Sequence, residues 1–134
     1  MTEIAFTNYS RQQALAILDE VADLYVEVYA EPPYSSAPKY SRVRFLARTT
    51  DQILAPGFSL VTARTGSGDL VGFAFGFTME PGRWWGNASP PPEALQAAAK
   101  FAVIELVVGK AQRGRGAGRA LLELLLKDRP EPYA

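Results

Sequence analysis

Residues 101 to 126 read Phe-Ala-Val-Ile-Glu-Leu-Val-Val-Gly-Lys-Ala-Gln-Arg-Gly-Arg-Gly-Ala-Gly-Arg-Ala-Leu-Leu-Glu-Leu-Leu-Leu, and this stretch decides the fold. Phe101 to Val108 is apolar and rich in β-branched residues, interrupted only by Glu105, which is the composition of a buried strand. Gly109 to Gly118 holds Gly109, Gly114, Gly116 and Gly118 together with Lys110, Arg113 and Arg115. Such a composition breaks regular structure and exposes backbone N–H groups. Arg119 to Lys127 predicts a helix, because five leucines among Ala, Glu and Lys are strong helix formers.

A strand, a glycine loop and a helix start, in that order, make an anion site. The first turn of a helix has N–H groups without intrahelical partners and carries about half a positive charge. Glycines let a diphosphate approach that backbone without a Cβ in the way. Between Leu106 and Leu122 stand Lys110, Arg113, Arg115 and Arg119 with no carboxylate, in a chain of zero formal net charge. That bias favours a polyphosphate ligand over a merely solvated glycine-rich connection.

Two common phosphate motifs fail on this sequence. A P-loop needs Lys-Ser/Thr after its second glycine, and Arg115-Gly116 follows Gly114 instead. The dinucleotide fingerprint, begun at Gly114 or Gly116, meets Arg119 or Leu121 where the third glycine belongs. What fits is Arg113-x-x-Gly116-x-Gly118, preceded by Glu-Leu-Val-Val and followed by a leucine-rich helix. This closely resembles the acetyl-CoA signature of the GNAT superfamily of N-acetyltransferases, Arg/Gln-x-x-Gly-x-Gly/Ala.

Composition narrows the remaining classes. At 134 residues the chain is expected to form one domain. Apolar content of 48% with 21% charged residues is that of an ordinary globular protein. Zero cysteines and zero histidines remove disulfides, thiolate nucleophiles, imidazole bases and the usual zinc ligands, so no metal is expected. The neutral balance argues against nucleic acid, and no apolar run is long enough for a membrane. The start, Met-Thr-Glu-Ile-Ala-Phe, is not that of a signal peptide, and a cytoplasmic location is expected.

Upstream, Glu3 to Thr7 predicts a short strand, and Ser10 with Gln13 predicts a capping box opening a helix carried to about Ala30. Pro32-Pro33 ends that helix, and a second is expected from Ser36-Ala-Pro38 to Leu54. Phe58 to Arg64 and Leu70 to Met79 read as a hairpin around Gly66-Ser-Gly68. The returning strand sorts small residues (Gly72, Ala74, Gly76) from large ones (Phe73, Phe75, Phe77). Its large face should meet a helix and its small face should leave room. Glu80 to Pro92 is irregular, and Glu93 to Lys100 predicts a short helix.

The resemblance implies an α/β (α+β) fold with a mixed, mostly antiparallel sheet flanked by helices. It covers residues 1–134 as a single domain, incomplete at its C-terminus after the helix that follows the fourth strand. It further implies acetyl-CoA as cosubstrate and a primary amine as acceptor. Leu106, Val107 and Val108 would pair with the pantetheine arm, and Arg113, Gly114, Arg115, Gly116, Ala117, Gly118 and Arg119 would hold the pyrophosphate. Glu105 would orient or deprotonate the acceptor, though a structural carboxylate paired with Arg83 fits the same position. Tyr29, Tyr34 and Trp84 are candidates for acceptor contact. The tyrosine that commonly protonates the leaving thiolate lies, in the family, beyond the point where this chain stops. Hence a second expectation stands beside the enzyme: a non-catalytic CoA-binding or interaction module completed by a partner chain. With the leucine helix short of cover, a homodimer or other self-association is expected.

Overall fold

The computed structural model describes residues 3–86 and 88–134. Its elements in chain order are β1 (Ile4–Tyr9), α1 (Arg11–Ala16), α2 (Leu18–Tyr29), α3 (Arg42–Ile53), β2 (Ser59–Thr65), β3 (Leu70–Met79), α4 (Glu93–Ala97), β4 (Lys100–Val108) and α5 (Ala117–Leu126). The four strands form one sheet in the order β1-β2-β3-β4, each neighbour antiparallel. Two layers cover it. Residues of α1, α2 and α3 pack with Leu60, Phe73, Phe75 and Val107 on one face. On the other, Leu121 and Leu125 of α5 pack with Val61, Ala63, Ala74 and Phe101. Among the described residues no helix is long and apolar enough to cross a membrane.

Local chemistry moves three predicted boundaries. The capping box forms as expected, with the Gln13 N–H donating to Ser10 Oγ at 3.3 Å and the Ser10 N–H to Gln13 Oε1 at 2.8 Å. The helix it opens breaks at Ile17, whose N–H turns back to the Ala14 carbonyl. Asp19 and Glu20 then sit in the first turn of α2, where the helix dipole favours carboxylates. Pro38 starts only a single 3₁₀ turn, and Ser41 caps α3 instead, its Oγ accepting from the Arg44 N–H at 3.2 Å. In α5 the helix begins at Ala117, two residues earlier than predicted, because Gly116 takes a left-handed conformation and turns the chain into the axis.

The two faces of β3 are sorted as predicted, with one correction. Phe73 and Phe75 point to the three-helix layer, stacked 6.2 Å apart. The small face is not vacant. A Cβ at Gly72 would lie 3.1 Å from Leu121 Cδ1, and one at Gly76 would lie 2.8 Å from the Phe101 ring. The small residues therefore admit α5 and Phe101. A register shift beside Ala63 also exchanges the start of the strand, so Leu70 joins the three-helix core and Val71 the α5 core.

A second shift falls in β4. Gly76 pairs with Val103 and Phe75 with Glu105, leaving Ile104 as the extra residue of a bulge. Before it, Phe101 and Val103 face α5; after it, Val107 faces the three-helix layer together with Ile104.

The C-terminal residues correct the expected lack of cover over the leucine helix and fill the far side of β4 only at its start. Tyr133 makes a parallel bridge with Lys100, its carbonyl accepting the Phe101 N–H at 2.8 Å, and among the described residues no strand pairs with that edge beyond this point. None of the α5 leucines is left fully exposed: Leu121 and Leu125 are buried and Leu122, Leu124 and Leu126 half-buried. The tail is held by Glu131, whose carboxylate accepts from Arg129 at 2.7 and 2.9 Å and from the Thr78 hydroxyl. Arg129 lies over the Phe101 ring at 4.2 Å.

Those hydrogen bonds, Arg129 first and Thr78 after it, hold the Glu131 carboxyl down to about 2 from an ordinary value of 4.5. A depressed carboxylate stabilises the fold above its unfolded value, and that contribution is lost as pH falls toward the folded value. Acid unfolding of the wild type should therefore steepen between about pH 4.5 and 2, whereas Glu131→Gln should be weaker at neutral pH and flatter there. Circular dichroism across that range decides it; superimposable curves would remove Glu131 from the acid response.

Candidate active site

β4 carries Glu105 to the rim of the three-helix layer. The Tyr29 hydroxyl, at the end of α2, donates to Glu105 Oε1 at 3.1 Å. Tyr29 stacks on Tyr40 with ring centres 4.5 Å apart, and Tyr34 meets Tyr29 edge-on at 4.7 Å. The Tyr25 hydroxyl accepts from Arg48 of α3. This wall of rings shields the carboxylate, and burial pushes its pKa up. The Tyr29 hydrogen bond and the Arg48 charge oppose that rise without cancelling it. Burial and the same carboxylate push the Tyr29 hydroxyl far up in turn, so it stays protonated and donates. The arrangement is that of a proton acceptor poised nearer neutrality than a free glutamate.

Arg83, the partner considered from sequence, is not at Glu105; it lines a cavity at the other end of β3 with Trp84. Tyr29 and Tyr34 do gather beside Glu105, and Trp84 does not.

Past Glu105 the strand ends in the glycine turn. The Gly109 N–H donates to the Val71 carbonyl on β3 at 2.8 Å. Strand alternation then turns the backbone groups of Val108 and Leu106 to the opposite edge, away from β3. Val107 keeps its side chain in the core while Leu106 is 42% exposed. A single 3₁₀ turn follows, and Gly114 and Gly116 adopt φ of 77° and 81°, a region that favours glycine. Among the described residues, no N–H from Gly114 to Arg119 donates to a protein carbonyl or side chain outside the helix. These donors converge at the start of α5, where the helix dipole favours an anion.

Arg113 is used differently from a simple phosphate ligand. Its Nε donates to the Val108 carbonyl at 3.0 Å, and its terminal nitrogens grip Glu31 at 2.5 and 2.9 Å. The guanidinium thus ties the loop to the end of α2 and occupies one acceptor on the open edge of β4. Arg119 pairs with Glu123 one helical turn on, at 3.0 Å. Of the loop cations predicted to face an anion, two are committed to carboxylates. Glu31 and Arg48 were missed as site residues; Glu31 lies 82 positions from its partner, a separation that leaves no local signal.

The glycines divide by what each must do. Gly116 needs its positive φ, but a Cβ there would meet nothing within 4 Å. Gly118 has no positive φ, and its Cβ would make only an ordinary 3.6 Å contact with Val108. Nothing in the protein itself requires glycine at 118. Gly118→Ala should therefore hold or raise thermal stability, since alanine gains about 1 kcal/mol in a helix interior, less in a first turn. It should nonetheless weaken CoA binding by about tenfold if a diphosphate lies against that backbone. Melting and calorimetry on one sample separate the two; unchanged affinity would free Gly118 of any ligand role.

The family model described as acetyltransferase (GNAT) family matches residues 18–129. Among solved structures, a glucosamine N-acetyltransferase region of a fungal multi-domain β-N-acetylglucosaminidase aligns with a TM-score of 0.62 at 15% identity. That alignment covers 94% of this chain and 12% of the fungal one. An aminoglycoside N-acetyltransferase solved in complex with CoA aligns at 0.60 and 13% identity, covering 93% and 68%. A Pyrococcus furiosus protein described as a putative acetyl transferase aligns at 0.62 and 15%, covering 92% and 72%. Comparison with curated proteins gives no match.

Proposed function

Because this chain belongs to the acetyltransferase (GNAT) family, we propose that it serves acetyl transfer from acetyl-CoA to the primary amine of a small molecule or protein. One observation carries the reading. The open edge of β4, its Val108 carbonyl taken by Arg113, leads through a 3₁₀ turn into a left-handed glycine turn and the N–H groups of α5 that are unpartnered among the described residues, with no carboxylate between Leu106 and Leu122.

The residues present fit the cosubstrate. The free backbone groups at Leu106 and the Val108 N–H suit an added strand-like amide chain such as pantetheine. The N–H groups from Gly114 to Arg119 suit the pyrophosphate, with Arg115 adding charge. Acetyl-CoA supplies the thioester whose acetyl carbon forms the new C–N bond as its C–S bond breaks. Glu105 takes the proton the amine must lose, and Tyr29 fixes the carboxylate by its hydrogen bond. An outward N–H of β4 is placed to stabilise charge on the carbonyl oxygen.

Calorimetry with CoA and with dephospho-CoA, followed by a thiol-release assay on an amine panel, tests this. CoA should bind with measurable heat and release of thiol should require an amine. A folded sample that binds no CoA at millimolar ligand overturns the proposal.

The same edge supports self-association. Backbone groups left unpaired on an edge strand form a template for a second chain. Light scattering across a dilution series should show mass rising with concentration, and saturating CoA should lower it by occupying that edge. A monomer at every concentration, with or without CoA, would end this part of the reading.

A further inference from the structure

We infer that the outward stripe of α3 is a docking surface for a second copy of this chain, the two helices lying antiparallel across a two-fold axis. Val43 and Leu54, at 77% and 63%, are the most exposed large apolar side chains among the described residues. Ala47 and Thr50 between them are exposed as well. Their spacing of four, three and four residues is that of the apolar seam of a coiled coil. The Thr50 hydroxyl donates to the Leu46 carbonyl at 2.7 Å, so it has its partner within the helix and leaves the stripe a methyl group. Phe45, Thr49 and Ile53 hold α3 on the core, so the stripe is not needed for that. The inference concerns association alone and does not depend on acetyl transfer.

Charge selects the occupant. One flank of the stripe carries Arg44 and Asp51, both exposed, and the other carries the uncharged Leu46 and Ile53. Neither Arg44 nor Asp51 takes part in an ion pair among the described residues. About 10 Å apart along the helix, they do not reach each other. A second α3 laid antiparallel sets Val43 against the partner's Leu54 and Ala47 against the partner's Thr50. Flanks of the same kind then meet. Arg44 falls about 3 Å along the axis from the partner's Asp51, at a rise of about 1.5 Å per residue, and the two-fold repeats the pair. A parallel pairing would set both charges against the uncharged flank instead, and such flanking pairs are what fix orientation. The surface is complementary to itself in one orientation, as an isologous interface requires.

Size sets the strength. α3 spans 12 residues, about 18 Å, so the pair buries less than about 1,200 Å² in all, the low end for specific interfaces. A weak dimer that forms with rising concentration is expected. It uses none of the residues given to the open edge of β4, so the two modes of association are separate. CoA should lower the one and leave the other.

Sedimentation velocity from about 10 μM to about 1 mM should show a monomer–dimer equilibrium that persists in saturating CoA. Arg44→Glu alone, or Asp51→Arg alone, sets like charges together twice and should weaken the dimer at least about tenfold. Arg44→Glu combined with Asp51→Arg exchanges the charges and should restore it. Lys127→Glu, exposed after α5, changes the net charge as much as Arg44→Glu and should have no effect. Val43→Asp should abolish the dimer without lowering the melting temperature, since a carboxylate is favoured in the first turn of a helix. Should the exchanged pair prove unfolded by circular dichroism, Val43→Asp decides alone, and a dimer that survives it ends the inference. Pairing at the β4 edge is indifferent to these variants, so its failure and the failure of this interface are told apart. The inference is overturned by a monomer at every concentration, or by a folded exchanged pair that stays monomeric. It is equally overturned if Lys127→Glu weakens the dimer as much as Arg44→Glu does. A chain that stays monomeric and sediments with phosphatidylcholine vesicles would give the stripe to a lipid surface, and overturns it too.

Discussion

Gly76→Ala should cost the protein about 3 kcal/mol or more, and Gly76→Val should leave little folded material. A Cβ at this position would lie 2.2 Å from the Ala102 carbonyl oxygen and 2.8 and 2.9 Å from the Phe101 ring. The oxygen belongs to the neighbouring strand, so relief requires β3 and β4 to separate. The ring is 1% exposed, with Arg129 stacked on it, so it has nowhere to turn. Overpacking of this kind typically costs 1–3 kcal/mol and more when backbone is struck, against a total of roughly 5–15 kcal/mol. At about 2–4 °C per kcal/mol, Gly76→Ala should melt roughly 10 °C lower. Gly66→Ala is the control, since nothing lies within 4 Å of a Cβ there and its φ is not positive. Equal melting of the two variants would show that the strands yield without cost.

Glu105→Gln should lower the rate of acetyl transfer by about a hundredfold or more while leaving CoA affinity unchanged, if the carboxylate is the base. Glutamine keeps an acceptor for the Tyr29 hydroxyl, so the aromatic wall stays in place. The pH dependence follows from burial, which raises the pKa of this group. Only the ionised form accepts a proton, so wild-type turnover should climb as pH rises through that raised value. The variant should lack the climb. Stability moves the other way. The neutral acid is the form burial favours, so its contribution is present below the unfolded pKa and lost as pH rises through the folded one. Glu105→Gln should therefore melt no lower than wild type at neutral pH, and higher if the charge is poorly compensated. A retained acid limb with unchanged turnover would return Glu105 to a packing role.

Much of this was legible in residues 101 to 126. A continuous apolar run, a glycine-rich turn and a leucine helix each follow from local preference, and their order implies the acetyltransferase resemblance that the family match supports. The hairpin and the sorting of Phe73 from Ala74 were readable from period-two alternation. What was illegible depends on contacts distant in sequence. Arg113 reads as a phosphate cation until Glu31 is found folded against it. The Glu131 clamp joins a tail residue to Thr78, 53 positions away, and no local rule foretells it. The break at Ile17 escaped for another reason: the apolar stripe runs straight through it, and only the two carboxylates that follow mark the fresh start.

The extra residue at Ile104 has a consequence for how this strand tolerates change. Phe101 and Val107 share parity yet serve opposite layers, one beneath α5 and the other against the three-helix core. β4 is thus two half-strands joined out of phase, and the joint stands immediately before the one carboxylate in the strand. Removing Ile104 itself would restore plain alternation and leave Val103 on α5 and Glu105 on the three-helix layer, whereas removing Leu106 would turn Val107 toward the leucines of α5. Substitutions across Phe101 to Val108 are tests of packing, but a one-residue gap is a test of phase. When this strand is compared with a relative that lacks the extra residue, an alignment without a gap at Ile104 will match one half to the wrong layer.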